Sequence, residues 1–313
     1  MFTRLSTPSL GGATQWLNTQ PLGLAELRGQ VVLVSFWTLT CINWLRTVPY
    51  LRAWANAYRD SGLVVVGIHT PEFSFERDPD LVRRALVERM IDYPVAVDND
   101  YDIWRAFHNR YWPALYFLDA EGAVRDQHFG EGQYEQCERI LQRLLGTAGD
   151  LVSVAGSGVE AAPDWDHLRT PETYLGYGRS TGWGPGGLRD RPSQHQLPAH
   201  LGRNQWALGG RWTVAAESVR LDEPDGSIAF RFHARDAHLV LSPGSRDPAP
   251  FQVWVDGKRP GSSHGVDTDE DGFGLLDDGR LYQLVRVRGV VREQTLQITF
   301  REPGVAAYAF TFG

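Results

Sequence analysis

The run Val31-Val32-Leu33-Val34-Ser35-Phe36-Trp37 constrains the fold of this chain more than any other segment. It is apolar, rich in β-branched residues and lacks polar alternation, which describes a strand covered on both faces. Such a strand needs a layer above and a layer below it. The neighbouring segments supply them. Leu63-Val64-Val65-Val66-Gly67-Ile68 is a second buried strand and Tyr93-Pro94-Val95-Ala96-Val97 a short third. Residues 114–118 and 123–125 form a hairpin turning at Glu121-Gly122. Between them, apolar residues fall at helical spacing from Cys41 onward, with Pro49 as a kink, then over 79–90, 101–109 and 134–145. Strands alternating with helices predict an α/β domain with a mostly parallel central sheet over residues 1–148.

The pattern changes after Gly146. Residues 149–164 are small and polar, as in a linker. In residues 165–313 the period becomes two: Ser227-Ile228-Ala229-Phe230-Arg231-Phe232, Phe251-Gln252-Val253-Trp254-Val255, Thr295-Leu296-Gln297-Ile298-Thr299-Phe300 and Tyr308-Ala309-Phe310-Thr311-Phe312 are examples, separated by Gly, Pro and Asp turns. This predicts an all-β jelly-roll sandwich.

Charge and composition exclude several function classes. The net charge of −7 comes without a basic stripe, which argues against nucleic acid as a partner. No stretch approaches the roughly 20 apolar residues that span a bilayer, and residues 1–12 show neither a basic start nor an apolar run. No membrane association is expected, and the expected location is the cytoplasm. The two cysteines, Cys41 and Cys137, are too few for a disulfide framework and have no zinc spacing. No cofactor is implied.

Cys41 stands between a buried strand and the start of a helix, in Phe36-Trp37-Thr38-Leu39-Thr40-Cys41-Ile42-Asn43-Trp44. Unpaired N–H groups and the helix dipole at such a position favour a thiolate. Strand, aromatic residue, Cys at the helix start and proline within the helix together resemble the thioredoxin superfamily. Trp112-Pro113 directly before a strand strengthens the resemblance, which implies a cis bond there and a loop packed against the active sulfur. The chain more closely resembles the soluble C-terminal portion of the DipZ-type membrane redox proteins, a thioredoxin domain followed by a carbohydrate-binding-like β-sandwich. The matching stretches include Cys41-Ile42-Asn43, His69-Thr70-Pro71-Glu72, Asn109-Arg110-Tyr111-Trp112-Pro113, Phe129-Gly130-Glu131-Gly132 and Thr170-Pro171-Glu172-Thr173-Tyr174.

One departure weakens the implied activity. A dithiol oxidoreductase uses Cys-x-x-Cys so that the second thiol resolves the mixed disulfide made by the first. Here the second position is Trp44. Cys137, in the last predicted helix, is a poor substitute, because a disulfide needs Cα atoms within about 7 Å. Cys41 is therefore expected to act as a monothiol, reducing peroxide or exchanging disulfides with an external thiol, and the expected partners are a thiol or disulfide protein or a peroxide. The alternative is a redox-inactive binding protein. His69 is a candidate base. Trp37, Thr38, Trp44, Glu72, Trp112 and Pro113 are the candidate substrate groove, with the three tryptophans as an aromatic rim, part surface and part core. In the second half, Trp183 is the best placed of the tryptophans to stack on a glycan. Asp267, Asp269 and Asp271 have the spacing of a calcium loop, which is also the spacing of ordinary Asp-rich turns.

Overall fold

The computed structural model describes residues 8–180, 184, 186, 188–245 and 247–313. It divides into two compact units, the second starting at Ala162.

The first unit has the expected thioredoxin fold. Its strands are β1 (Gln15–Leu17), β2 (Val31–Trp37), β3 (Leu63–His69), β4 (Val95–Val97), β5 (Ala114–Leu118) and β6 (Val124–Phe129), in the sheet order β1-β4-β3-β2-β5-β6. Strands β2, β3 and β4 run parallel, and the others pair antiparallel. Every residue of β2 is buried. Val32, Val34 and Phe36 join one cluster with Ile68, Ile103, Phe107 and Tyr116. The alternate residues, including Ser35 and Trp37, point to the opposite face. The helices are α1 (Ile42–Ala57), α2 (Pro79–Glu88), α3 (Asp102–Ala106) and α4 (Tyr134–Leu145). Helix α2 starts where the sequence dictates: Asp78 caps the N–H of Asp80 and Pro79 takes the first turn.

The segment read from sequence as a linker is attached to the first unit through residue 160. Buried Glu138 on α4 accepts from Trp54 Nε1 (3.0 Å), Tyr58 Oη (2.6 Å) and the N–H of Val152 (2.9 Å). Glu160 pairs with Arg52 at 3.0 Å.

The second unit is the expected all-β jelly-roll-like body. Its strands are β7 (Thr173–Tyr174), β8 (Ser193–His195), β9 (Trp206–Val214), β10 (Val219–Leu221), β11 (Gly226–Phe232), β12 (Asp236–Ser242), β13 (Ala249–Val255), β14 (Phe273–Leu276), β15 (Arg280–Arg286), β16 (Gln294–Phe300) and β17 (Ala306–Phe312). The ladder is continuous, β14-β13-β16-β11-β9-β10-β17-β12-β15, with β8 on β9 and β7 on β17. Strand β9 belongs to both halves: its first part pairs with β11 and its last part with β10. Between these parts Gly210 has φ +99°, a conformation that side chains resist. The two halves close on one core, where Phe230 of β11 meets Phe310 and Phe312 of β17 at ring separations of 5.0 and 5.2 Å.

Trp206 and Trp212 belong to this core and offer no open face to a sugar, and Trp254 is half-buried. Trp183 lies outside the described residues. The acidic loop is already occupied. Asp267 takes Arg280 (2.7 Å) and the N–H of Gln283 (2.7 Å), Asp269 takes the N–H of Phe273 (2.8 Å), and Asp271 pairs with Arg259. Among the described residues no group of three or more His, Cys, Asp or Glu side chains is placed to hold a metal, and no helix is long and apolar enough to cross a membrane.

Replacing Glu138 with Ala strands two buried donors, Trp54 Nε1 and Tyr58 Oη, each at a cost of about 1–3 kcal/mol, and frees the half-buried N–H of Val152. The expected outcome is a loss of about 3 kcal/mol in urea unfolding, with limited proteolysis moving into residues 149–157 as the Val152 anchor is released.

Candidate active site

The site forms at the carboxyl ends of β2 and β3. Strand β2 delivers Trp37, the chain turns through Thr38, Leu39 and Thr40, and Cys41 becomes the N-cap of α1. The N–H of Cys41 donates to the Thr38 carbonyl at 3.2 Å, and its own carbonyl accepts from Leu45 at 3.0 Å. The thiol stands where a capping side chain would, at the positive end of a sixteen-residue helix, and the residue is partly exposed. Neither cysteine is in a disulfide.

The Trp112–Pro113 bond is cis, as the family resemblance implied. The pairing of Phe36 with Ala114 sets Pro113 level with Trp37, at the sheet end from which the Cys41 loop departs. Trp112 is half-buried and donates its indole N–H to the Thr70 carbonyl at 3.1 Å, while the Thr70 N–H donates to the Trp37 carbonyl at 2.9 Å. The loops after β2, after β3 and before β5 are thus tied together by main-chain carbonyls. On the outer side of α1, Arg46 pairs at 3.0 Å with Glu131, and both are almost completely buried.

Of the three tryptophans expected at a rim, Trp37 and Trp44 form the floor. Both are 0% exposed and they stack at 4.1 Å with their planes 13° apart. Gly67 on β3 leaves the space: a Cβ there would lie 3.0 Å from Trp37 Nε1. The position of a resolving cysteine is therefore filled by an indole built into the core. Cys137 is buried on α4, where desolvation pushes its thiol up to about 12.

His69 ends β3 beside Trp37, its ring 4.7 Å away and edge-on. It is completely buried, neither ring nitrogen has a hydrogen-bond partner, and burial lowers its pKa to about 3. It is neutral at physiological pH and makes no hydrogen bond to Cys41. Glu72 lies partly exposed on the loop after β3.

The residue that sequence reasoning missed is Glu76, in the short 3₁₀ turn Ser74–Arg77. It is 0% exposed. Oε2 accepts from Thr38 Oγ1 (2.6 Å), the Glu72 N–H (2.5 Å) and the Phe73 N–H (2.8 Å), and Oε1 accepts from Thr40 Oγ1 (2.7 Å) and the Thr40 N–H (3.1 Å). Burial, then the charge of Glu72, push its carboxyl up to about 7, against the pull of these hydrogen bonds. Thr38 is 0% exposed and its hydroxyl is committed to this carboxylate.

His69 makes the fold sensitive to acid. Its folded pKa of about 3 lies below its ordinary value of 6.5, so between these values the unfolded chain binds the extra proton. Its share of stability is therefore present above pH 6.5 and is lost as the pH falls toward about 3. His69→Leu is expected to flatten the dependence of the urea midpoint on pH in that window. An unchanged slope would show that other groups set it.

Residues 11–127 match the AhpC/TSA family, and residues 170–313 match the thioredoxin-like C-terminal domain. Protein DipZ of Mycobacterium tuberculosis (strain CDC 1551 / Oshkosh) is 39% identical over 272 residues, which are 83% of this chain and 39% of that protein. The same figures hold for protein DipZ of Mycobacterium bovis, so the chain spans well under half the length of these relatives. Thiol-disulfide oxidoreductase YkuV of Bacillus subtilis is 29% identical over 46% of this chain and 97% of its own length. A solved thioredoxin-like superfamily protein, SPOA0173, covers 47% of this chain and 99% of its own, at 28% identity and a TM-score of 0.43. With a thioredoxin-fold sheet in front and a β-body behind, the chain joins a thioredoxin-like domain of the AhpC/TSA family to a thioredoxin-like C-terminal domain.

Proposed function

We propose that the protein is a monothiol disulfide-exchange protein acting through Cys41. The observation that supports this best is the pairing of a partly exposed Cys41 at the start of α1 with a buried Trp44 at the position of the resolving thiol. In the first step the Cys41 thiolate attacks one sulfur of a partner's disulfide. That S–S bond breaks, a mixed disulfide forms, and the partner's other sulfur leaves as thiolate and takes a proton. An external thiolate then attacks Cys41 Sγ, freeing the partner's second sulfur and leaving Cys41 joined to the external group. A second external thiolate removes that group and restores Cys41. Two electrons pass from two external thiols to one disulfide. This cycle requires the thiol supply of a reducing compartment.

Peroxide reduction is the weaker reading. A hydroxyl three residues before the sulfur could orient a peroxide, but Thr38 is buried and donates to Glu76. His69 has no role in this cycle as a base, because burial makes it a poor proton acceptor, its pKa lowered to about 3, and its nitrogens make no bond to the thiol.

Intact mass after incubation with glutathione disulfide tests the reading. One glutathione adduct should form at Cys41, persist until external thiol is added, and be absent in Cys41→Ser but present in Cys137→Ala. Peroxide should oxidise Cys41 no faster than it oxidises glutathione. A Cys41→Ser protein that still exchanges disulfides, or a wild-type thiol inert to glutathione disulfide, would defeat the proposal. Trp44→Cys provides the converse test. The variant should lose two hydrogens on oxidation, as Cys41 and the introduced thiol close a disulfide that limits adduct lifetime. Its stability should fall by about 3 kcal/mol, the low end for removing a buried indole.

A further inference from the structure

We propose that Glu76 is the positioning residue of Cys41: its buried carboxylate holds the Thr38–Thr40 loop in place, and its protonation state sets the reactivity of the thiol that follows. The inference rests on the thiol-exchange reading of Cys41.

The donors around the carboxylate carry the proposal. Three of its five donors are main-chain N–H groups, of Thr40, Glu72 and Phe73, and these can only donate. The other two are the hydroxyls of Thr38 and Thr40. The cage therefore fits an ionised carboxylate. A protonated carboxyl must place its own hydrogen, and the hydroxyls of Thr38 and Thr40 are the two groups that can rotate to accept it. Protonation thus reorients a hydroxyl on the turn that leads directly into Cys41. It also removes a buried negative charge from the neighbourhood of the sulfur, and such a charge opposes thiolate formation.

The surrounding titratable groups are Glu72 on the same loop, Cys41 at the start of α1, His69 at the end of β3, and Asp98 beyond Thr70. Glu72 adds negative charge, His69 stays neutral, and Asp98 is occupied by Thr70 and by the first N–H groups of α3. Arg77, the adjacent cation, faces solvent. With a carboxyl pushed up to about 7 by burial, both protonation states are populated at neutral pH.

The test is the rate of Cys41 alkylation by iodoacetamide, followed by intact mass as a function of pH in the Cys137→Ala background. The profile should show two inflections, one from the thiol and one at about 7 from Glu76. Glu76→Gln should leave a single inflection, moved to lower pH, and Glu76→Asp should restore the second. Thr40→Val removes one donor to the anion and should move the carboxyl inflection to higher pH. This variant decides the matter if Glu76→Gln does not fold. A reactive thiol with one inflection in the wild type, unchanged in shape by Glu76→Gln, or a carboxyl inflection unmoved by Thr40→Val, overturns this inference and leaves the exchange reading standing. A thiol that alkylates at no pH strikes down the exchange reading itself, and the inference with it. A two-inflection profile in a protein that forms no glutathione adduct supports Glu76 while removing disulfide exchange.

Discussion

Five hydrogen bonds onto one buried carboxylate hold the working end of the first unit in place. Glu76 collects donors from two loops that are far apart in sequence, the turn after β2 and the turn after β3. Parallel strands leave their carboxyl ends side by side and give no direct link between the loops that follow. Burying a carboxylate there is expensive unless its oxygens are saturated with donors, and leaving those donors unpaired would be expensive as well. The two costs offset each other only when both loops take up this one arrangement. The position of Cys41 follows from it, because the Thr40 N–H and hydroxyl are both held on the residue immediately before the thiol.

The floor under the thiol depends on a different kind of interaction. Trp37 and Trp44 stack face to face, with His69 edge-on against Trp37, on the sheet face opposite Phe36. Few hydrogen bonds are made there: Trp37 Nε1, Trp44 Nε1 and both His69 nitrogens are buried without partners. The stack gains dispersion and apolar burial in exchange for polar satisfaction. A cysteine at position 44 would leave most of that volume empty. The single-thiol site and the packing of its floor are therefore one feature of the chain.

Much of the framework was legible in the sequence. Strands β2 and β3 were readable because burial on both faces leaves a continuous apolar run, and the β-body because one-sided burial leaves a period of two. Strand β9 was not, since Gly209-Gly210 breaks the alternation where the strand passes from one half of the ladder to the other. Cys41 was legible from its place between strand and helix. Glu76 was not: Ser74-Phe75-Glu76-Arg77 has the polar texture of an exposed turn, and only the tertiary return of that turn onto Thr38 and Thr40 buries the carboxylate. The tryptophans show the same limit. Residue type marks Trp37, Trp44 and Trp112 as large and apolar, but the space that Gly67 leaves for Trp37, and the stacking of Trp44 on Trp37, decide that the first two belong to the floor.

Disulfide exchange at a single thiol differs in kinetic order from exchange at a pair. With a second cysteine one helical turn away, release of the partner is intramolecular and benefits from a high effective concentration. In the proposed cycle, with Trp44 in that place, release would wait for collision with another thiol, so the mixed disulfide would live longer and access to Cys41 Sγ would become part of the mechanism. The fold is consistent with that demand. Cys41 is the partly exposed residue of a turn whose neighbours Thr38, Leu39 and Thr40 are all buried. In that cycle buried Cys137, its thiol pushed up to about 12 by desolvation, would not compete for the mixed disulfide. A buried, hydrogen-bonded turn leading to one partly exposed cysteine would keep the acceptor position of such a cycle constant and leave the choice of incoming thiol to the surface around it.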